Sequence, residues 1–577
     1  MLTGGSFILA SCNDFLDREP LDSVTPDNFF FTENDLAAYA VKHYNFTTHE
    51  GFNAGIWKND NATDNQAATD YDKKWIPGQW KVPEAYDNPA SNDPWYFSTI
   101  REANYFLETV VPRFEKGEIE GSETNIKHYI GEMYFLRAKN YLSKLETFGD
   151  FPIIKNTLPD ESESLIQASK RAPRYKVAHF ILEDLDQAIS LLTNNISGGK
   201  NRITKNAALL LKSRAALFEA SWLTYHKGTA LVPGGPGWPG KAEDIADFNI
   251  DTEIAFFLKE AKAAAKEVIG NAALVQNTAK DCMDETVKTD EDKYKMSNPY
   301  FAQFSANSLE GYSEILMWRA YNLLDYKIVH SAPFYIRVGG NTGFTRQYVE
   351  SFLCRDGKPI YATDQYKGDE SLLNVRKNRD LRLQLFLMTP GETLSPNVMN
   401  GTPDLLPEVL QLLDITEKRC VTGYQVRKGL SGNWYRDGNT AIEGCPVYRV
   451  AEAYLNYIEA DCMEHNGTSI GSEAAGYWGD LRERAGLPRD YTVTVNNTDL
   501  SKELDWAIYS AGKLVSPLLY NIRRERRCEL LAEGLRMLDL KRWRALDQVK
   551  QFVIEGVNLW ESDLKDKYMQ DGKNLLI

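Results

Sequence analysis

Apolar residues recur at intervals of three and four in two separated blocks of the chain, the pattern of helices that each bury one face. In the first block Ile130, Tyr134, Ala138, Tyr141, Leu145 and Phe148 share such a face. Ala178, Ile181, Leu182, Leu185, Ile189 and Leu192 share a second, and Leu211, Ala215, Phe218, Trp222 and Tyr225 a third. Ile254, Phe257, Ala261, Ala265 and Val268 share a fourth. The spacing predicts helices of roughly 15 to 22 residues, joined by turns such as Ser197-Gly198-Gly199. Small residues (Ala138, Ala207, Ala208, Ala215, Ala264) interleave with the large ones, as close helix pairing requires. This resembles tetratricopeptide-type stacking, without its strict period of about 34 residues.

The second block begins at Val447. Val450, Tyr454, Leu455, Ile458 and Cys462 mark one helix, and Trp478, Leu481 and Ala485 mark another that Gly486 and Pro488 end. A last helix is predicted from about Leu518 to Leu546, with Leu531, Leu535 and Leu538 facing a core. Arg526/Glu529, Glu533/Arg536 and Asp539/Arg542 are spaced to pair along it. Residues 271–446 carry no sustained period and are rich in Gly, Asn, Pro and aromatics, as are residues 50–98. A compact protein does not leave about 170 residues structureless. The expected fold is therefore mainly α: a tetratricopeptide-like helical-repeat scaffold (12–270 and 447–577) with an inserted irregular α+β lobe (271–446).

Residues 1–11 read differently. Leu9-Ala10-Ser11-Cys12 matches a bacterial lipobox: an apolar run, small residues at the cleavage site, and a cysteine whose thiol takes the lipid. On this reading residues 1–11 are signal, and Cys12 begins a mature chain with an acidic tether, Asn13 to Asp17. No Lys or Arg precedes Cys12, so the basic start of a signal is missing, and the true start is expected further upstream. No other stretch supplies the roughly 20 apolar residues of a membrane span, so the chain is expected to be anchored rather than spanning.

A formal net charge of −15 excludes a nucleic-acid backbone as partner. Of the 7 cysteines, those other than Cys12 have no C-x-x-C spacing, which removes zinc and thioredoxin-like readings. An export route permits disulfides among Cys282, Cys354, Cys420, Cys445, Cys462 and Cys528, with the pairing left open.

The chain resembles the SusD/RagB family of nutrient-binding outer-membrane lipoproteins. The resemblance runs from NDFLDREPLDSVTPDNFF behind Cys12 to DPWYFSTIREANYFLE (Asp93 to Glu108) and GEMYFLRAKNYLSKLETFGDFPII (Gly131 to Ile154). It continues through NRITKNAALLLKSRAALFEA (Asn201 to Ala220), PVYRVAEAYLNYIEA (Pro446 to Ala460), LRERAGL (Leu481 to Leu487) and RRERRCELLAEGLRMLDLKRW (Arg523 to Trp543). Their order along the chain carries it. The resemblance implies capture of a glycan at the cell surface and delivery to a SusC-type TonB-dependent transporter, by a lipid-anchored protein of the outer membrane. The motifs themselves sit on core-forming helices. Glu529, Glu533 and Arg536 are expected to form buried ion pairs rather than to do chemistry, and Trp95 and Trp543 to be structural.

Catalysis has no clear carrier in the sequence. With 81 Asp and Glu residues a glycosidase-like carboxylate pair can always be imagined, so their number decides nothing. No H-E-x-x-H occurs, and no G-x-S-x-G stands at a strand-to-helix elbow. Gly235-Pro236-Gly237-Trp238-Pro239-Gly240-Lys241-Ala242 approaches a P-loop but lacks its Ser/Thr, and its prolines remove the amides of a phosphate cradle. It reads as a rigid surface turn. No cofactor or metal is expected. Sugars present C–H-rich faces to flat rings and hydroxyls to amides and carboxylates. Loop aromatics beside Asn, Asp and Gln are therefore the candidate ligand-binding residues: Trp57, Trp75, Trp80, Tyr300, Trp318 and Trp434. The alternative function is an exported helical-repeat adaptor for a peptide or protein, which would use a polar groove of the scaffold instead.

Overall fold

The computed structural model describes residues 29–70, 72, 95–278, 298–325, 327–395, 404–405, 410–414, 416–432, 440–549, 553–570 and 573–574. Cys12, Trp75, Trp80, Trp434 and Cys282 lie outside the described residues.

The first block folds as seven helices: α1 Glu33–Lys42, α2 Ser98–Glu115, α3 Glu123–Phe148, α4 Ser162–Ala168, α5 Arg174–Leu191, α6 Lys205–His226 and α7 Ile250–Asn271. Local signals set the ends. Thr32 and Asp35 form a reciprocal capping box at α1, Thr204 caps α6 and Asn249 caps α7. Gly149, at φ +74°, stops α3, since a left-handed residue is easiest for glycine. The long helices pack in pairs, α3 on α5 and α6 on α7. Gly131 lets α3 approach α5 closely, because a Cβ there would lie 3.0 Å from the Leu192 side chain.

The chain returns to this scaffold after residue 450. Helix Ala451–Glu464 packs on α6 and α7, and helices Ser472–Arg484 and Pro517–Glu529 pack on it in turn. One hydrophobic core accordingly runs from Phe30 to Leu530 in sequence. A second core gathers Tyr300, Phe304, Phe344, Tyr348, Phe386 and Tyr424, joined by Trp57 from the N-terminal side and Tyr568 from the C-terminal side. Two-stranded antiparallel ladders stitch these parts together. β1 (Gln66–Ala68) pairs with β3 (Thr342–Phe344), β4 (Thr393–Ser395) with β5 (Asp404–Leu405), and β2 (Ile315–Arg319) with β6 (Cys445–Arg449), which leads straight into the Ala451–Glu464 helix. The fold is mainly α, with short strands confined to such ladders.

One predicted helix is broken. Instead of a single helix over 518–546, Pro517–Glu529 ends, and helix Arg536–Arg542 follows a turn in which Ala532 and Gly534 take φ +61° and +80°. A Cβ on Gly534 would lie 2.7 Å from that of Asn59, so the turn is pressed against the N-terminal segment. The break changes the phase: Leu531 and Leu540 are buried, whereas Leu535 and Leu538 are half-buried. It also replaces two of the three expected pairings. Asp539 and Arg542 do pair, but Arg526 bonds Asp539, Glu529 takes Arg449 and Arg484, and Arg536 reaches Asp64 and Asp505. The carboxylates of this segment hold the two cores together across the chain rather than bracing their own helix.

The described cysteines, Cys354, Cys420, Cys445, Cys462 and Cys528, are free thiols in buried positions. No helix among the described residues is long and apolar enough to cross a membrane.

Candidate functional site

Three of the six predicted ligand-binding aromatics are core residues. Trp57 is 1% exposed, edge-on to Phe304 at 5.7 Å, with the Lys428 ammonium 5.4 Å from its ring and Gly429 pressed so close that a side chain there would overlap the indole. Tyr300, also 1% exposed, donates its hydroxyl to Glu529 (3.1 Å) beneath the Arg484 guanidinium. Burial and the Glu529 charge hold its phenol well above the usual range. Trp318 packs among Leu309 and Ile315 on β2 and donates Nε1–H to Glu310 (3.1 Å). None of the three offers a ring face to a sugar. The cause is compositional: a lobe without long helices fills its core with aromatics, so aromatics beside Asn and Gln there mark the interior as readily as the surface. Trp75, Trp80 and Trp434 fall outside the described residues. Trp543 is buried, donating to Glu459 (2.6 Å), as a structural role requires.

Among the described residues, Trp560 is the exposed tryptophan, at 60%. It sits on a turn fixed by Asn558, whose side-chain oxygen accepts from the backbone N–H of Trp560 and of Glu561, both at 3.1 Å. The Asn558 amide in turn donates to Asp369 (3.2 Å), which also pairs with Arg346. An indole held on a rigid Asx turn beside a carboxylate and a guanidinium has what stacking on a sugar needs. The Gly235–Gly240 turn carries a half-buried Trp238 tied to Asp150 (2.8 Å).

The cavity best matched to a hydroxyl-rich ligand is a cleft of about 210 Å³ where α3 and α6 meet β6. Phe46, half-buried after α1, gives it an aromatic wall, edge-on to the buried Tyr448 at 6.1 Å. Lys139 of α3 enters with its ammonium bonded to the Asn45 backbone carbonyl (2.9 Å) and side-chain oxygen (3.0 Å). Arg214 of α6 is gripped side-on by Glu452, Nε–Oε1 2.7 Å and Nη2–Oε2 2.6 Å. Glu533 bounds the far side, accepting from Lys428 (2.7 Å) and Arg449 (2.9 Å). Burial pulls the Lys139 ammonium down to about 8, opposed by the nearby Glu146 carboxylate. Burial pushes Glu146 up to about 7, opposed by Arg214 and Lys139. The cleft combines an aromatic wall, fixed donors and fixed acceptors.

Two other cavities fit less well. A groove of about 270 Å³ beside Trp95, Phe97, Ile100 and Ile154 is mostly apolar, and the ring of Trp95 is covered by Arg171 at 4.7 Å. A broad hollow of about 560 Å³ is lined by Asn194, Asn206, Asn271 and Ser313 but has no aromatic wall. No group of His, Cys, Asp and Glu among the described residues is arranged to hold a metal ion.

Paired helices on one core, a second lobe on another and a polar cleft beside them define a helical-repeat scaffold of a known kind. Residues 288–574 match the SusD family model, and residues 14–217 match a model described as starch-binding associating with outer membrane. The chain belongs to the SusD family. SusD-like protein P2 of Formosa agariphila is 25% identical over 557 residues, covering 94% of this chain and 89% of its own. Two solved structures from Bacteroides fragilis share the fold. A SusD-like protein superposes with a TM-score of 0.61 at 22% identity, covering 92% of this chain and 89% of that one. A SusD-like carbohydrate binding protein superposes with a TM-score of 0.58 at 17% identity, covering 93% and 91%.

Proposed function

We propose that this protein is a non-catalytic, surface-facing lipoprotein, anchored in the outer membrane through Cys12, that captures an oligosaccharide and passes it to a SusC-type TonB-dependent transporter. Family membership carries the reading: two family models, one described as starch-binding and outer-membrane-associated, together match most of the chain. The carbohydrate-binding protein that shares the fold supports it, as does a cleft whose lining suits hydroxyl groups.

Stacking on loop indoles is the expected grip, through Trp75, Trp80, Trp434 and Trp560. Each stacked ring contributes on the order of 1 kcal/mol beyond its buried area, which places affinity in the micromolar range. Replacing these four tryptophans by Ala is expected to weaken oligosaccharide binding by about tenfold or more with the melting temperature unchanged. Unaltered affinity in that variant would move the site elsewhere. Anchoring has its own test. Cys12→Ala, expressed from the full native signal, is expected to shift the protein from the membrane fraction to the soluble one, and unchanged partition with unchanged lipid labelling counts against the anchor. Under mild detergent, purification from native membranes is expected to recover a SusC-type transporter with it.

A further inference from the structure

Resting on the reading that the protein binds sugars, we propose that the cleft between α3, α6 and β6 is a subsite for a sugar unit bearing a carboxylate, a uronic acid, with Lys139 and Arg214 as its anion partners. The argument begins with Lys139. Among the described residues no carboxylate lies within ion-pair distance of its ammonium, whose bonds go to the oxygens of Asn45 and leave a third N–H. A half-buried cation without an anionic partner is costly, and a bound carboxylate would relieve that cost.

Arg214 adds a second donor edge. Glu452 occupies its Nε and one Nη2 hydrogen, so the Nη1 hydrogens of this cleft-lining side chain are left to a ligand. The other charges in the lining are already matched. Glu452 is held by Arg214, and Glu533 by Lys428 and Arg449. Arg449 is saturated by Glu314, Glu529 and Glu533. The excess positive charge is therefore local to Lys139, in a chain whose net charge is −15.

The next acid toward this cation is Glu146, and burial, with the carboxyl raised to about 7, weakens its competition at neutral pH. Phe46 gives the cation an aromatic wall, its ring centroid 5.1 Å from the Lys139 ammonium. A volume of about 210 Å³ is below the roughly 300–1,000 Å³ of drug-sized sites and suits one sugar ring rather than a chain.

The test is calorimetry on the full mature protein with trigalacturonic acid, a glucuronic-acid-bearing xylo-oligosaccharide, and both oligosaccharides after reduction of their carboxyl groups to alcohols. At least one acidic form is expected to bind about tenfold or more tightly than its reduced counterpart, as a charge-assisted hydrogen bond warrants. Lys139→Met is expected to erase that preference with the melting temperature unchanged, and Lys139→Arg to restore it. Lys139→Gln provides the same reading should the methionine variant fold poorly. Equal affinity for acidic and reduced forms overturns the proposal but leaves the glycan reading standing, as does a preference that survives loss of Lys139. Failure of every sugar, acidic and neutral, overturns the glycan reading as well.

Discussion

Replacing Glu529 by Ala is expected to destabilise the protein by about 3–5 kcal/mol, the cost of removing one partner from a buried ion network. Glu529 is 1% exposed and accepts from Arg449 (2.7 Å), Arg484 (2.7 Å), Arg382 (3.1 Å) and Tyr300 (3.1 Å). Its loss removes the one carboxylate shared by three buried guanidinium groups at the junction of the two cores. Burial alone would raise its pKa, but Arg484, Arg449 and Arg382 outweigh burial and hold the carboxyl well below the usual range. A depressed folded-state pKa gives stability that is complete above the unfolded value of about 4.5 and is lost as pH falls below it. Urea midpoints should therefore fall steeply for the variant at neutral pH, with a smaller gap to the wild type in acid. A neutral-pH midpoint equal to that of the wild type would show that the two cores do not depend on this seam.

Ala138→Asp is the second large effect, expected at about 3–5 kcal/mol. Ala138 is fully buried on α3, within the continuous scaffold core, where a carboxylate would lose its hydration. Its nearest guanidinium in sequence, Arg137, is already committed to Asp184 at 2.7 Å. Leu535→Asp makes the control. Leu535 is half-buried at the rim of the polar cleft, and its replacement should cost only about 1 kcal/mol. Thermal unfolding of the two variants side by side decides the matter: comparable shifts would mean that the buried face of α3 is misplaced.

The helical scaffold was legible because its signal is local. Faces such as Ile130 to Phe148 repeat at helical spacing over whole helices, and caps and stops such as Thr204 and Gly149 fall where that spacing ends. The broken helix after Glu529 shows where local signals fail. Arg526 to Arg542 reads as one charged helix, but Gly534 and distant partners, Lys428 and Arg449 for Glu533 and Asp64 for Arg536, decide the backbone. The aromatics divide for a related reason. Periodicity says which side of a helix is buried, and the second lobe has little periodicity, so nothing in the sequence separates interior Trp57 and Tyr300 from exposed Trp560. The cleft was invisible for yet another reason: Asn45, Lys139, Arg214 and Tyr448 come from four distant segments and meet only in the fold.

The most direct measurement of the central claim is isothermal titration of the intact mature protein with plant, microbial and host oligosaccharides, paired with product analysis after prolonged incubation. The account predicts micromolar binding of at least one oligosaccharide, recovered uncut. A glycan that is cleaved, or a panel of glycans that all fail where a peptide binds, would contradict it.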